Sequence, residues 1–414
     1  MTEPPAHEEP RPFGGDYFHA FQTVYFPVHG YLAIVMCSFG IVANSISITV
    51  LTRRRMITPT NVILTALALS HLLLMTGYAP FAWHQYILKS NSRMIAPDAW
   101  RSYSWISYIG FSISYLIVVH TISVWLTVEL AVFHAIAVAL PTKVQHYCSM
   151  KRALTGIAMI TIGTALICTP SYLRVQVSKL PKEHAEAMIL DWVAQHEDSD
   201  LADDVDASNA TDYVNNATVY ASNATDYVSN ATMYRLEESD FSRNHSHIPR
   251  TVSFYAFSIV CKLVPCLVLI CLSAFLVGGL VRRRRLGFPQ LEGRLHGLEG
   301  SPANRDRTTR LVIGVILCLI ITELPTGLLA LFSAFSHDFF TFVYVPLGDL
   351  MDILALINHT VIFVLCCSIS PEFQQTLCRM FGCSSTDSQS ADRTAYPLVT
   401  LPELKLLTDQ DVLP

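Results

Sequence analysis

Charge is scarce in this chain. Only 15% of its 414 residues are Asp, Glu, Lys or Arg, while 51% are hydrophobic. Soluble domains carry about 25% charged residues, so an ordinary soluble class is excluded. No cleavable leader is expected from residues 1–22, which are rich in Pro and Glu and have no apolar core. The first apolar run is therefore expected to act as the targeting signal. No repeat relates the two halves of the chain, which argues against a transporter or channel built on inverted repeats.

What the chain has instead is seven long apolar runs, at about 26–52, 61–86, 104–138, 153–173, 252–281, 311–335 and 341–367. Roughly 20 apolar residues suffice for a helix to cross a bilayer. In lipid each backbone group must be satisfied within its own element, so the runs are expected to be helices. The helices of a soluble core would show polar stripes, and these mostly do not. The expected fold class is an all-α membrane protein, a seven-transmembrane helix bundle, spanning residues 23–382.

Basic residues orient it. Arg53, Arg54 and Arg55 follow the first run, Lys143, Lys151 and Arg152 lie near the fourth, and Arg282 to Arg285 with Arg305, Arg307 and Arg310 flank the 282–310 loop. Such loops face the cytoplasm. An odd number of spans then places the N-terminus outside, with residues 1–22 as a short disordered tail, and the C-terminus inside, with 383–414 as another. The long loop at about 174–251 falls outside by the same count. It carries sequons at Asn209, Asn216, Asn223 and Asn230, seven residues apart, and a fifth at Asn244. Asn-x-Ser/Thr is where glycan is added in the secretory lumen, so the two signals agree. The seven-residue period repeats Asn and Thr rather than apolar residues, which rejects a coiled coil and favours a solvated, glycan-bearing spacer. The expected location is the plasma membrane.

No cysteine falls in an outer loop, so no outer-face disulfide is expected: eight lie within spans, and Cys148, Cys378 and Cys383 lie on the inner side. After the last span, Phe373, Leu377, Met380 and Phe381 share one face at helical spacing. That pattern suits a short amphipathic helix on the membrane surface, with Cys378 and Cys383 as candidate palmitoylation sites.

Several strings resemble one family. They are Thr60 to Ala68 (TNVILTALA), His120 to Val128 (HTISVWLTV), Lys262 to Cys266 (KLVPC), Thr322 to Pro325 (TELP) and Gly348 to Asn358 (GDLMDILALIN). Over about 23–382 the chain resembles a rhodopsin-like (class A) G-protein-coupled receptor. Within that class it is most similar to the myosuppressin and FMRFamide-type neuropeptide receptors. The resemblance implies an amidated peptide as ligand and a heterotrimeric G protein as partner. It implies no cofactor, metal or nucleic acid, and no enzymatic activity.

Residue chemistry stands beside the resemblance. Pro265 and Pro325 lie mid-span, where proline removes a backbone hydrogen bond and bends the helix. Glu323 lies deep in the sixth span, where a carboxyl is costly unless paired or wet. Asp349 and Asp352 are three apart and share a helix face. With His120 they would suit a cationic peptide end, an Arg-Phe-amide terminus, through charge-assisted hydrogen bonds. Trp83, Tyr86 and Tyr344 would hold its aromatic side chain.

Three departures from the class pattern accompany these matches. Phe133-His134-Ala135 stands where the class carries Asp-Arg-Tyr, and histidine cannot form a guanidinium fork. His71 stands where a sodium-binding Asp is usual, and a hard cation prefers oxygen, so no sodium sensitivity is expected. Ile362 to Cys366 replaces Asn-Pro-x-x-Tyr, and Leu356 occupies the position at which an opsin needs Lys. Receptors with a weakened switch and decoys that bind without signalling both fit these departures. A membrane hydrolase would need a metal cluster, and His71, His120 and His134 are expected to lie in different thirds of the bundle. Glu129 is expected to pair with an arginine of a neighbouring loop.

Overall fold

The computed structural model describes residues 12–88, 97–189, 232–245, 248–286 and 302–382. Seven of its helices are long and apolar enough to cross a membrane. They are α1 (Gly15–Leu51), α2 (Pro59–Ala82), α3 (Tyr103–Ala139), α4 (Met150–Ile167), α5 (three joined stretches, Ile248–Tyr255, Ala256–Leu263 and Val264–Leu286), α6 (Pro302–Phe335) and α7 (Val345–Ile369). An eighth, α8 (Pro371–Met380), follows with Phe373 buried and Cys378 exposed. Contacts divide the chain into two compact units, residues 1–374 and 375–414.

Local chemistry sets the helix ends. Thr58 caps α2, its hydroxyl accepting from the Asn61 amide at 3.2 Å, and Pro59 occupies the first helical position, where its missing N–H costs nothing. Many large apolar side chains stay exposed, among them Val35, Val42, Met159, Ile162, Leu166 and Ile321. Helices hydrophobic all round belong in lipid. A core cluster inside the bundle joins α1, α2, α3 and α7 through Ala33, Cys37, Met75, Tyr78, Tyr86, Val119 and Leu356.

Helix ends depart from the expected boundaries. α1 starts at Gly15, inside the expected disordered tail, and Phe13 packs edge-on against Phe339 with ring centroids 5.6 Å apart. α5 runs on to Leu286 and α6 begins at Pro302, so helix enters both ends of the 282–310 loop. A helix does not have to end where its side chains turn polar, because arginine is itself a good helix former.

The 174–251 loop is more than a spacer at its two ends. β1 (Val175–Lys179) and β2 (Tyr234–Glu238) pair antiparallel, Val175 opposite Glu238 and Lys179 opposite Tyr234. The hairpin packs on the start of α3. The Tyr234 amide donates to the Arg101 carbonyl at 3.0 Å. Leu236 lies over Gly110, so close that a Cβ on Gly110 would stand 2.8 Å from its Cδ2. On the strands, the Gln176 amide and Arg235 bond Glu237 and hold its carboxyl below the usual range. Asn209, Asn216, Asn223, Asn230 and Cys383 lie outside the described residues.

Three stretches are wound as wider π-helix: Trp83–Leu88 after α2, Ala256–Leu263 within α5 and Phe340–Tyr344 before α7. Such turns often mark functional sites. Here they carry Trp83, Tyr86, Lys262 and Tyr344.

Candidate functional site

Five buried polar side chains from five helices form one chain across the bundle. His71 comes from α2, His120 from α3, Lys262 from α5, Glu323 from α6 and His359 from α7. The Lys262 ammonium bonds Glu323 Oε2 in a short contact and reaches His120 Nε2 at 2.6 Å. His120 Nε2 lies 3.0 Å from Glu323 Oε2, and His120 Nδ1 lies 3.2 Å from His359 Nε2. The His71 ring packs on the His359 ring, centroids 4.3 Å apart. Glu323 is 1% exposed and Lys262 4%, so this ion pair is fully inside.

This geometry corrects two expectations. His71 and His120 do not lie apart, since His359 joins them, although His134 does stand alone, its Nδ1 bonded to the Leu130 carbonyl at 3.0 Å. No group of three metal-ligating side chains forms among the described residues. Glu129 has no arginine: neither carboxylate oxygen has a hydrogen-bond partner among the described residues, and the group lies against Gly156 of α4.

A second network lies nearer the hairpin end of the bundle, built on the two aspartates of α7. The Tyr86 hydroxyl donates to Asp349 Oδ1 at 2.6 Å. The Tyr78 hydroxyl donates to Asp352 Oδ2 at 3.1 Å and receives a hydrogen bond from His29 Nε2, also at 3.1 Å. His29 Nδ1 in turn accepts from Tyr25 at 3.3 Å. Asp352 is exposed to solvent although it sits between helices, so it faces an internal cleft. Asp349 Oδ2 is buried without a partner.

Close packing fixes this arrangement. A Cβ placed on Gly30 of α1 would stand 2.6 Å from the Cβ of Tyr86, which has no room to move. Gly30→Ala is therefore expected to destabilise the protein by about 1–3 kcal/mol through overpacking, more than the roughly 1 kcal/mol that alanine gains in a helix. It should also displace Tyr86 from Asp349. The thermal midpoint of the purified variant checks this.

The remaining expected site residues scatter. Trp83 is 47% exposed. Tyr344 is half-buried and stacks on Phe340, centroids 5.6 Å apart. Pro325 lies within unbroken α6, and Pro265 is the second residue of the α-helical stretch that follows the π-helical one in α5. At the arginine end, Phe133 and His134 are buried, Ala135 is half-buried, and Arg307 and Arg310 are exposed. Arg307 lines a cavity of about 60 Å³ with Met56, Asn61, Ser370 and Glu372.

Comparison with known proteins gives the family. The family model described as serpentine type 7TM GPCR chemoreceptor Srw matches residues 31–186 and 211–384. The chain belongs to that family. Among curated relatives, the G-protein coupled receptor dmsr-1 of Caenorhabditis elegans is 25% identical over 91% of this chain and 72% of its own length. The sex peptide receptor of Drosophila melanogaster is 22% identical over 86% and 72%. Sex peptide receptor-related protein 2 of Caenorhabditis elegans is 21% identical over 87% and 73%. The protein is thus a multi-pass membrane receptor and not an enzyme.

Sequence reasoning missed Lys262, His359, Tyr78 and His29 in the receptor. The signal for Lys262 was present. A lysine inside a span demands a partner, and Glu323 was the unpaired acid at similar depth.

Proposed function

We propose that the receptor takes the cationic, amidated end of a neuropeptide, myosuppressin- or FMRFamide-like, in the cleft below the hairpin, and passes the signal to a heterotrimeric G protein. The observation that carries this reading is the pair Asp349 and Asp352. They share one face of α7, one carboxylate open to the cleft and the other with an oxygen unpartnered. A guanidinium suits two such acceptors. Lys262 is bonded to Glu323 and offers no free charge to a C-terminal carboxylate, which favours an amide there. Tyr86 and Tyr344 supply aromatic surface. The relatives named as sex peptide receptors support a peptide as ligand.

In this reading the hairpin end and the N-terminus face outside at the plasma membrane. The arginine end meets the G protein through Arg307, Arg310 and the Phe133-His134-Ala135 segment. Glycan is carried on the sequons, of which Asn244 is exposed. Cys378, also exposed, is the palmitoylation site with Cys383. Signalling is a shift between two helix arrangements about Pro265 and Pro325.

One observation favours a second reading, a decoy that binds without signalling. His134 bonds to the carbonyl of its own helix turn, where the class pattern places an arginine that reaches a neighbour. A panel of amidated Arg-Phe peptides on cells expressing the chain, read by binding and by G-protein recruitment, decides. Binding with recruitment is expected. Binding alone identifies the decoy, and neither refutes the peptide assignment. His134→Arg is expected to increase recruitment if the switch is weakened.

A further inference from the structure

The two aspartates of α7 are held by two tyrosines, and one side chain touches both tyrosines. His29 of α1 is fully buried. Its Nε2 bonds the Tyr78 hydroxyl at 3.1 Å, and its ring lies against the Tyr86 ring, centroids 4.3 Å apart. Tyr78 bonds Asp352, and Tyr86 bonds Asp349. Gly30, the next residue, is what lets α1 come this close to Tyr86.

Proton counting fixes the direction of the chain. A carboxylate can only accept, so the single hydrogen of the Tyr78 hydroxyl goes to Asp352 Oδ2. The bond between His29 Nε2 and that hydroxyl is then donated by the imidazole. In the neutral ring Nδ1 is left as the acceptor for the Tyr25 hydroxyl, at 3.3 Å. Donation therefore runs from Tyr25 to His29, to Tyr78 and to Asp352. Hydrogen bonds in such a row polarise one another.

The row orients the last member. A phenol hydroxyl turns about its C–O bond and can aim its hydrogen elsewhere. With His29 donating to its oxygen, Tyr78 directs that hydrogen to Asp352. Asp352 is exposed to the cleft, so the carboxylate offered to a ligand is held from behind. A guanidinium fork is exacting about where its acceptors lie, and a neutral side chain is less so. Packing alone does not account for a histidine here. A phenylalanine would fill the space without burying two ring nitrogens.

We infer that His29 is a positioning residue of the peptide site: through Tyr78, and by its packing on Tyr86, it sets the aspartates that tell an arginine from a neutral side chain. The inference rests on the peptide reading above.

Competition binding on membranes of cells expressing the full chain tests it, with an amidated Arg-Phe peptide and its citrulline analogue. His29→Phe keeps a ring against Tyr86 and removes both nitrogens. It is expected to weaken the arginine peptide by about fivefold, the size of one net hydrogen bond. The citrulline analogue should be nearly unmoved, because it makes no charge-assisted contact. His29→Gln returns a donor near the place of Nε2 and is expected to restore the preference for arginine. Tyr78→Phe cuts the row one step nearer Asp352 and should reproduce the loss, whether or not His29→Phe reaches the membrane. Adding His29→Phe to Tyr78→Phe should weaken the arginine peptide no further. An equal fall for both peptides would make His29 a support of the bundle only and overturn the inference. An unchanged preference in His29→Phe or in Tyr78→Phe would overturn it too. A wild type with no preference for arginine would instead overturn the peptide reading, and this inference with it.

Discussion

Lys262→Met is expected to destabilise the receptor by about 3–5 kcal/mol, because it leaves the Glu323 carboxylate buried with no full countercharge. Lys262 reaches Glu323 and His120 together, so its loss removes the ammonium from both contacts. The double variant Lys262→Met/Glu323→Leu should recover most of the loss, since an apolar pair of similar volume is often as stable as a buried ion pair. Thermal midpoints of the wild type, both single variants and the double variant form the cycle. A neutral Lys262→Met, or additive losses in the double, would mean the pair does not exist in the folded protein. The same geometry changes what Glu323→Gln should do. As a ligand contact it would lower peptide affinity with surface expression intact. Bonded to Lys262, it should lower stability and expression first.

Asp352→Asn is expected to weaken a cationic peptide by at least about thirtyfold, the equivalent of losing one charge-assisted contact of about 2 kcal/mol. The expression level should hold, because the amide oxygen can still accept from Tyr78. Asp349→Asn should cost less, since Asp349 is half-buried while Asp352 is exposed. Radioligand competition on membranes from equal numbers of expressing cells measures both. A peptide whose affinity is unmoved by either change does not use these aspartates.

Much of the fold was legible in the sequence. Each span announced itself by length and apolar content, and the seven helices lie close to the expected runs. The hairpin was not legible. Val175–Lys179 and Tyr234–Glu238 are only five residues each and pair across a long excursion, so no local pattern brings them together. The candidate site was half legible. Glu323, Asp349, Asp352 and His120 stood out as polar groups in apolar runs. What was hidden was the bonding between them. Which acid meets Lys262 and which meets a tyrosine depends on helix rotation, and the π-helical stretch Ala256–Leu263 shifts that rotation in a way no hydropathy pattern records. Hence Glu323, the most conspicuous acid, proves to be the one already neutralised.

The central claim is that the acids of α7 face the medium and receive a positive charge from a peptide. Binding of an amidated Arg-Phe peptide to intact cells, compared with an analogue in which citrulline replaces that arginine, tests it most directly. Citrulline keeps the shape and loses the charge. The account expects saturable binding of the arginine peptide and a loss of at least about tenfold for the analogue, equivalent to about 1.4 kcal/mol. Equal binding of the two, or none of either on intact cells, would contradict it.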